Sequence, residues 1–330
     1  MTRMTRRRLL AGTAGAALAG GLRLGAPALA QGSDWPNRPV RFIVPLAPGG
    51  AIDFIARAVG ERMSGTIGQQ VVVENRTGAG GTIGMDAAMK SAPDGYTVLI
   101  TNDNAASAPH IMKLSYDYAK DMIPVCFLGR HGQIFAAHSS IGVSTLKELL
   151  DYTKANPGVG IATSGVGSNQ HVLSEWIKKE SGLKFEHVPY RGAGQAINDL
   201  IAAHVKTAIL GPTSMMPHAQ AGTIKMLATS ANQRSKLLPD VPTLDEAGFK
   251  GMRLEAWYGA FVPAGTPPAL VARLNAEMNK ALQDPKLIDT FTKGAIEPVG
   301  GMPDDFAKVT RADSDKYARL IKDLNLSITQ

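Results

Sequence analysis

The chain has a single cysteine, Cys126, in 330 residues. No intrachain disulfide can form, so the apolar core must hold the fold. In the run Ile123-Pro-Val-Cys126-Phe-Leu the thiol is expected to be buried and unreactive. Aromatic residues make up only 6 % of the chain. Catalytic signatures are missing: there is no G-x-S-x-G, no H-E-x-x-H and no C-x-x-C. The histidines stand singly, and His131 and His138 have no third partner of metal-ligating type nearby, so no metal and no cofactor are expected. A G-x-G-x-x-G turn and a Walker lysine are also missing, which disfavours a nucleotide. No apolar run reaches the ~20 residues of a membrane span.

Acidic residues are absent from positions 1–30, which carry Arg3, Arg6, Arg7, Arg8 and Arg23. An Ala/Gly-rich apolar run follows the first arginines and ends in Ala28-Leu29-Ala30. This is the pattern of an export signal cleaved before Gln31. Thr5-Arg6-Arg7-Arg8-Leu9-Leu10 resembles a twin-arginine signal, with an ordinary secretory signal as the alternative. The full chain has 35 basic and 28 acidic residues; without those five arginines the counts are 30 and 28, about +2. The mature protein is nearly neutral and has no basic stretch interleaved with aromatics, so nucleic acid is not an expected partner. No long exposed apolar stripe argues for a dimer, and a monomer is expected. About 300 mature residues usually divide into two domains.

What is present is an alternation of strand and helix patterns. Strands are expected at 40–44, 70–74, 96–101, 122–129, 133–138, 158–163, 185–189, 206–210, 225–229 and 254–262. Helical patterns start at 52 and run over 82–91, 144–155, 168–181, 193–203, 213–221, 267–283 and 303–324. The expected class is α/β, with mostly parallel sheets flanked by helices. Right-handed crossovers place the strand-to-helix turns along one edge of each sheet, where ligands of such folds bind.

Two of those turns stand out. Ala47-Pro48-Gly49-Gly50-Ala51 lies between an apolar strand and a helix, where uncovered N–H groups and the helix dipole favour an anion, a carboxylate rather than a nucleotide. Thr163-Ser164-Gly165-Val-Gly167-Ser168-Asn-Gln-His171 is a second glycine- and hydroxyl-rich turn, with Ser168 a candidate N-cap. Each reads equally as ordinary turn chemistry. Asp53 sits in the first helical turn, where a structural role is favoured. A packed or exposed role is favoured for His171. Arg191, after Tyr190, could pair with a carboxylate. Trp257 and Tyr258 are expected in the core, and Arg76 is expected to hold its own loop.

These residues carry a resemblance. Pro48-Gly49-Gly50-x-x-Asp53-x-x-Ala56-Arg57, Val73-Glu74-Asn75-Arg76-x-Gly78-Ala79-Gly80-Gly81-x-x-Gly84, Pro93-Asp94-Gly95-Tyr96, Gly165-x-Gly167-Ser168-x-x-His171, Val188-Pro-Tyr190-Arg191-Gly192 and Phe261-Val-Pro263-Ala-Gly265-Thr-Pro267 together resemble the Bug family. Its members are extracytoplasmic solute receptors of tripartite tricarboxylate transporters. The resemblance implies a two-lobed periplasmic binding protein fold of type II-like form, with the ligand cleft between the lobes. The lobes would comprise 31–134 and 255–302 on one side and 135–254 on the other, joined near 122–138 and 253–263, with 303–330 as a C-terminal helix packed across both. It implies a non-enzymatic receptor that closes on a small mono- or dicarboxylate, aliphatic or aromatic, and serves a permease or a sensor.

The turns at 47–53 and 163–171 would grip one carboxylate. After the strand 207–210 the family often has an acid, whereas this chain reads Gly211-Pro212-Thr213-Ser214. That wall is uncharged, which disfavours a ligand with a free ammonium. Asn102, with Asp103 and Asn104, would add polar contacts at the far end of the ligand. Rival readings are a secreted α/β hydrolase using Ser164 or Ser168 with His171, a binding module used only for signalling, and a nucleotide- or phosphate-binding protein.

Overall fold

The alternation expected from the sequence builds two sheets. The computed structural model describes residues 35–111, 114–115 and 117–326. The export signal at 1–30 and its cleavage point lie outside the described residues. The first lobe opens with β1 (Val40–Val44), α1 (Ala51–Ile67), β2 (Val71–Asn75), α2 (Thr82–Met89) and β3 (Thr97–Asn102). The short α3 (Asn104–Ser107) and α4 (Tyr118–Asp121) follow, and β4 (Met122–Gly132) carries the chain into the second lobe. There lie β5 (Ile134–His138), α5 (Leu146–Ala155), β6 (Gly160–Thr163), α6 (Asn169–Ser181) and β7 (Glu186–Pro189). They are followed by α7 (Ala193–Ile201), β8 (Thr207–Leu210), α8 (Pro212–Gln220) and β9 (Ile224–Thr229). β10 (Glu255–Pro263) returns to the first sheet, ahead of α9 (Pro268–Leu282), α10 (Pro285–Lys293), β11 (Glu297–Pro298) and α11 (Pro303–Asp323).

The first sheet has the order β11-β4-β10-β3-β1-β2 and the second β7-β6-β8-β5-β9. β1, β2 and β3 are parallel, as are β6, β7 and β8. The mostly parallel sheets expected from the sequence are in fact mixed: β10 runs antiparallel to β3 and β4, and β5 antiparallel to β8 and β9. The reason is the path between lobes. β4 leaves the first lobe and β10 re-enters it, so these paired strands must oppose each other. Each of the six parallel strands is followed by a turn that leads into a helix, the position where ligands of such folds bind.

Helix faces follow from sequence spacing. In α1 the buried stripe is Ile52, Ile55, Ala56, Val59 and Met63, and the helix stops at Gly68 in left-handed geometry. α10 and β11 were not foreseen. The signal for α10 was present, since Asp284 caps it and Pro285 occupies its first turn. Among the described residues no helix is long and apolar enough to cross a membrane. Cys126 is buried, and burial pushes its thiol up to about 12.

The two crossings between lobes are tied together by Ser230, which is fully buried. Its N–H donates to Gln133 O at 2.9 Å and its Oγ to Leu254 O at 2.6 Å, while Gln133 N–H donates to that Oγ at 2.9 Å. Gly132 permits the close passage, because a Cβ there would lie 2.6 Å from Ala231 N. α11 then locks the base. Phe306 packs against Phe127, Trp257 and Phe261, and Trp257 Nε1 donates to Asp313 Oδ2 at 2.8 Å. At its far end the helix reaches the second lobe, where Lys179 of α6 donates to Asp323 O at 3.0 Å. Trp257 and Tyr258 are both core residues.

Candidate functional site

The turn before α1 is braced from beneath. Gly49 adopts a φ of +84°, which a side chain would strain. Asp53 Oδ2 accepts from Gly49 N–H at 3.1 Å and from Arg57 Nε–H at 3.0 Å. Burial alone would raise the Asp53 carboxyl, but bonds from Arg57, Gly49 and Asn75 and the Arg57 charge hold it below its ordinary value. Asn75 donates to Leu46 O at 3.0 Å and accepts from Arg57 at 3.3 Å. Asp53 is thus a strut of the turn. Gly50 opens the helix in extended geometry without a side-chain cap. The first-turn amides, at Ala51, Ile52 and Asp53, have no acceptor within the helix, which leaves them free to donate to an anion. Ala47, Pro48 and Gly49 are exposed beside it.

The turn before α6 is closed by its own side chains. Ser168 caps the helix by accepting from His171 N–H at 3.2 Å and donates to Gly165 O at 2.7 Å. Thr163 Oγ1 accepts from Gly165 N–H at 3.3 Å and shares a 2.6 Å hydrogen bond with His187 Nε2. Ser164 Oγ donates to Gln170 Oε1 at 2.7 Å. His171 Nδ1 accepts from Gly167 N–H at 3.1 Å, and its ring stacks on His187 with centroids 4.0 Å apart. Burial keeps both rings below the ordinary histidine pKa, His187 at about 4. The hydroxyls of Thr163, Ser164 and Ser168 and the ring of His171 therefore shape the loop.

Other predicted positions separate. Tyr190 OH points to Asp199 Oδ2 at 2.7 Å. Arg191 is exposed and holds no ion pair among the described residues. Pro212 is buried and has no N–H, but α8 begins at Gly211 without a side-chain cap, leaving the amides of Thr213 and Ser214 without intrahelical acceptors. Thr213 Oγ1 donates across the lobe boundary to Gly294 O at 2.7 Å. Gly294 also lies against Phe54 of α1, so this contact lies beside the first turn of that helix. Asn102 ends β3 with Oδ1 buried and without a partner among the described residues.

A buried polar seam between the lobes was not expected from the sequence. Gln170 Nε2 donates to Gln133 Oε1 at 3.2 Å. Asn169 Nδ2 donates to Asp103 Oδ2 at 3.0 Å, and Tyr317 OH donates to the same oxygen at 2.6 Å. His131 Nε2 and Tyr258 OH are 2.7 Å apart, and burial lowers the histidine to about 4. Among the described residues no cluster of His, Cys, Asp and Glu could hold a metal ion.

With this geometry in view, similarity to known proteins is decisive. Residues 55–326 match the tripartite tricarboxylate transporter family receptor, TctC. The chain belongs to this family. It is 35 % identical over 329 residues to the UPF0065 protein in the tcbD-tcbE intergenic region of Pseudomonas sp. strain P51, covering 98 % of this chain and 96 % of the relative. Protein BugT of Bordetella pertussis is 32 % identical over 293 residues, 88 % and 90 % of the two chains. The periplasmic binding protein BugD superposes with a TM-score of 0.82 at 30 % identity, covering 89 % of this chain and all of that one. An R. palustris protein solved with adipate gives 0.85 at 29 % identity, again over 89 % of this chain and 100 % of the other. MatC from Rhodopseudomonas palustris with bound malate gives 0.80 at 28 % identity, over 87 % and 100 %. The Bug-type two-lobed periplasmic binding protein fold expected from six short motifs is therefore that of the whole TctC receptor.

Proposed function

We propose that this TctC receptor captures a small organic carboxylate between its lobes by hinge closure, after export to the periplasm, and presents it to a tripartite-type permease. The observation that carries this reading is the pair of helix starts without side-chain caps, α1 in one lobe and α8 in the other, beside a direct contact between lobes at Thr213 and Gly294. The carboxylate accepts from the amides of Ala51 and Ile52, where the helix dipole adds to the bonds. The turn from Thr163 to Ser168 closes over it, with Asn102 and the α8 start facing the rest of the ligand. Relatives solved with adipate and with malate support a carboxylate as the ligand. The second-lobe wall at Gly211-Pro212-Thr213-Ser214 has no acid, which favours ligands without an ammonium group. Closure shifts a two-state equilibrium by the ligand's differential contacts, with Ser230 joining the two crossings at the pivot.

A hydrolase reading is weaker. Ser164 donates to Gln170 and Ser168 to Gly165 O, while His171 Nδ1 is occupied by Gly167 N–H. Neither hydroxyl meets the base that nucleophilic catalysis requires.

Calorimetric titration of the purified protein with malate, adipate and related mono- and dicarboxylates tests the proposal, with the corresponding uncharged amides as controls. Saturable binding of at least one carboxylate and of none of the amides is expected. Equal binding of an amide and its acid, or a response only to phosphate or amino acids, would overturn it.

A further inference from the structure

Asp103 follows directly on β3, with its N–H held by Trp257 O at 3.2 Å. Its side chain is buried and reaches across the lobe boundary. Oδ2 accepts from Tyr317 OH of α11 at 2.6 Å and from Asn169 Nδ2, in the first turn of α6, at 3.0 Å. Asn169 Nδ2 also points to Glu255 O of β10 at 3.4 Å. The other ends of these same two groups are not satisfied: Asp103 Oδ1 and Asn169 Oδ1 are both buried and both lack a partner among the described residues. Each of the two groups thus has one end bonded and one buried acceptor left over. An ionised carboxylate can only accept, whereas a protonated carboxyl has an O–H to give. Buried acceptors are ordinarily paired, so two left over on one contact call for an explanation.

We propose that Asp103 is protonated when the lobes are together and that its Oδ1–H donates to Asn169 Oδ1, forming a two-point acid–amide latch between the lobes. The proposal rests on the hinge-closure reading above and adds the residue that positions the closed form. Asp103 touches both lobes and α11 but is no part of the anion site itself.

The charged and titratable groups around the latch favour the proton. From α11 come Tyr317 and Asp313, whose carboxylate is held by Trp257 Nε1 at 2.8 Å and Lys316 at 3.2 Å. From β10 come Glu255, paired with Arg130 of β4 at 3.8 Å, and Tyr258, bonded to His131 of β4. The first turn of α6 has no acidic residue. Thr101 and Asn102 of β3 contribute two more buried oxygens without partners. Among the described residues no cation pairs with Asp103. Burial pushes its carboxyl up to about 7 against the bonds from Tyr317 and Asn169, and the Asp313 charge pushes the same way.

The consequence is a proton linked to closure. Parting the lobes frees Asp103 from Asn169 and returns its carboxyl toward the ordinary range, so the closed form binds protons more tightly than the open one. Closure is then favoured most at acidic pH and weakens as pH rises through about 7. The closed complex forms from protein, ligand and solvent proton, with no covalent bond made or broken apart from the O–H.

The test is calorimetric titration with malate or adipate near neutral pH, in two buffers that differ in ionisation enthalpy. Wild-type protein is expected to take up part of a proton per ligand. Asp103→Asn should bind within about threefold of wild type and take up none, because an amide at this position can donate to Asn169 Oδ1 without titrating. Asp103→Ala should lose about tenfold or more in affinity. Proton uptake that is equal in wild type and Asp103→Asn, or an Asp103→Asn as weak as Asp103→Ala, overturns the latch. If neither acid binds, the carboxylate reading fails while the latch stays testable through unfolding without ligand. Relative to Asp103→Asn, wild-type stability should then fall as pH rises from acid through about 7, and parallel curves overturn it.

Discussion

In the first lobe the turn before α1 leaves its helix start bare: Asp53 braces Gly49 from within the helix, and Gly50 has no side chain to cover the next amides. In the second lobe the turn before α6 is partly closed by its own side chains. Ser168, Thr163 and His171 take up the N–H groups of His171, Gly165 and Gly167 in turn. Both turns follow a parallel strand and both are rich in glycine, yet the second spends three N–H groups on its own side chains and the first only one. The difference assigns them different work. In the proposed binding mode the first-lobe turn, together with the start of α8, supplies the hydrogen bonds to charge. The second-lobe turn is a preformed wall whose shape is fixed by its own polar contacts.

The sharpest way to break that division is Gly50→Asp. The backbone there is extended and the space for a Cβ is open, with Ala47 O at 3.8 Å, so the fold should survive. An aspartate at this N-cap can accept from the first-turn amides and place negative charge where the ligand's would sit. Affinity should fall by about a hundredfold or more, with melting temperature unchanged or raised. Unchanged affinity would remove the site from α1.

Asp53→Asn should act on both binding and stability. It removes the charge that anchors Arg57 and weakens the brace on Gly49, at about 1–3 kcal/mol of stability, and affinity should fall about tenfold. Because bonds and the Arg57 charge hold the Asp53 pKa below its ordinary value, its contribution is present above the usual carboxylate range and is lost as pH falls. Urea unfolding should show the variant's deficit at neutral pH and little of it in acid.

Less of this was legible than the fold. The strand and helix order followed from periodicity because each apolar stripe is local, as in α1. The six short motifs marked the turns correctly as turns, since glycine and hydroxyl residues announce strand-to-helix corners. Which donors remain free could not be read, because it depends on partners in three dimensions. Thr163 meets His187 24 residues away, and Asn169 meets Asp103 66 residues away. The mixed sheets were missed for a similar reason: the directions of β4 and β10 follow from the chain passing twice between lobes, which no local pattern encodes.

Thr213→Val sharpens the comparison from the α8 side. It deletes the 2.7 Å bond to Gly294 O while keeping the amide of residue 213. Loss of one such bond, about 1 kcal/mol, should lower affinity about fivefold through the closed state. Scattering without ligand should show a more open population.

The smallest effect at neutral pH is expected from His187→Asn. Burial, the nearby His171 and Lys178 lower His187 from 6.5 to about 4. The unfolded chain therefore binds this proton first, and wild-type stability should decline as pH falls from 6.5 toward 4. The variant should be flatter over that window and near wild type above it, as read by thermal unfolding.

The most direct measurement is amide NMR on saturation with malate or adipate, following Ala51, Ile52, Thr213 and Ser214 against Gly165 and Gly167. The account predicts large downfield shifts at Ala51 and Ile52, smaller shifts at the α8 start, and minor shifts at the two glycines, whose N–H groups are already bonded. Large shifts confined to Gly165 and Gly167, with Ala51 and Ile52 unmoved, would contradict it.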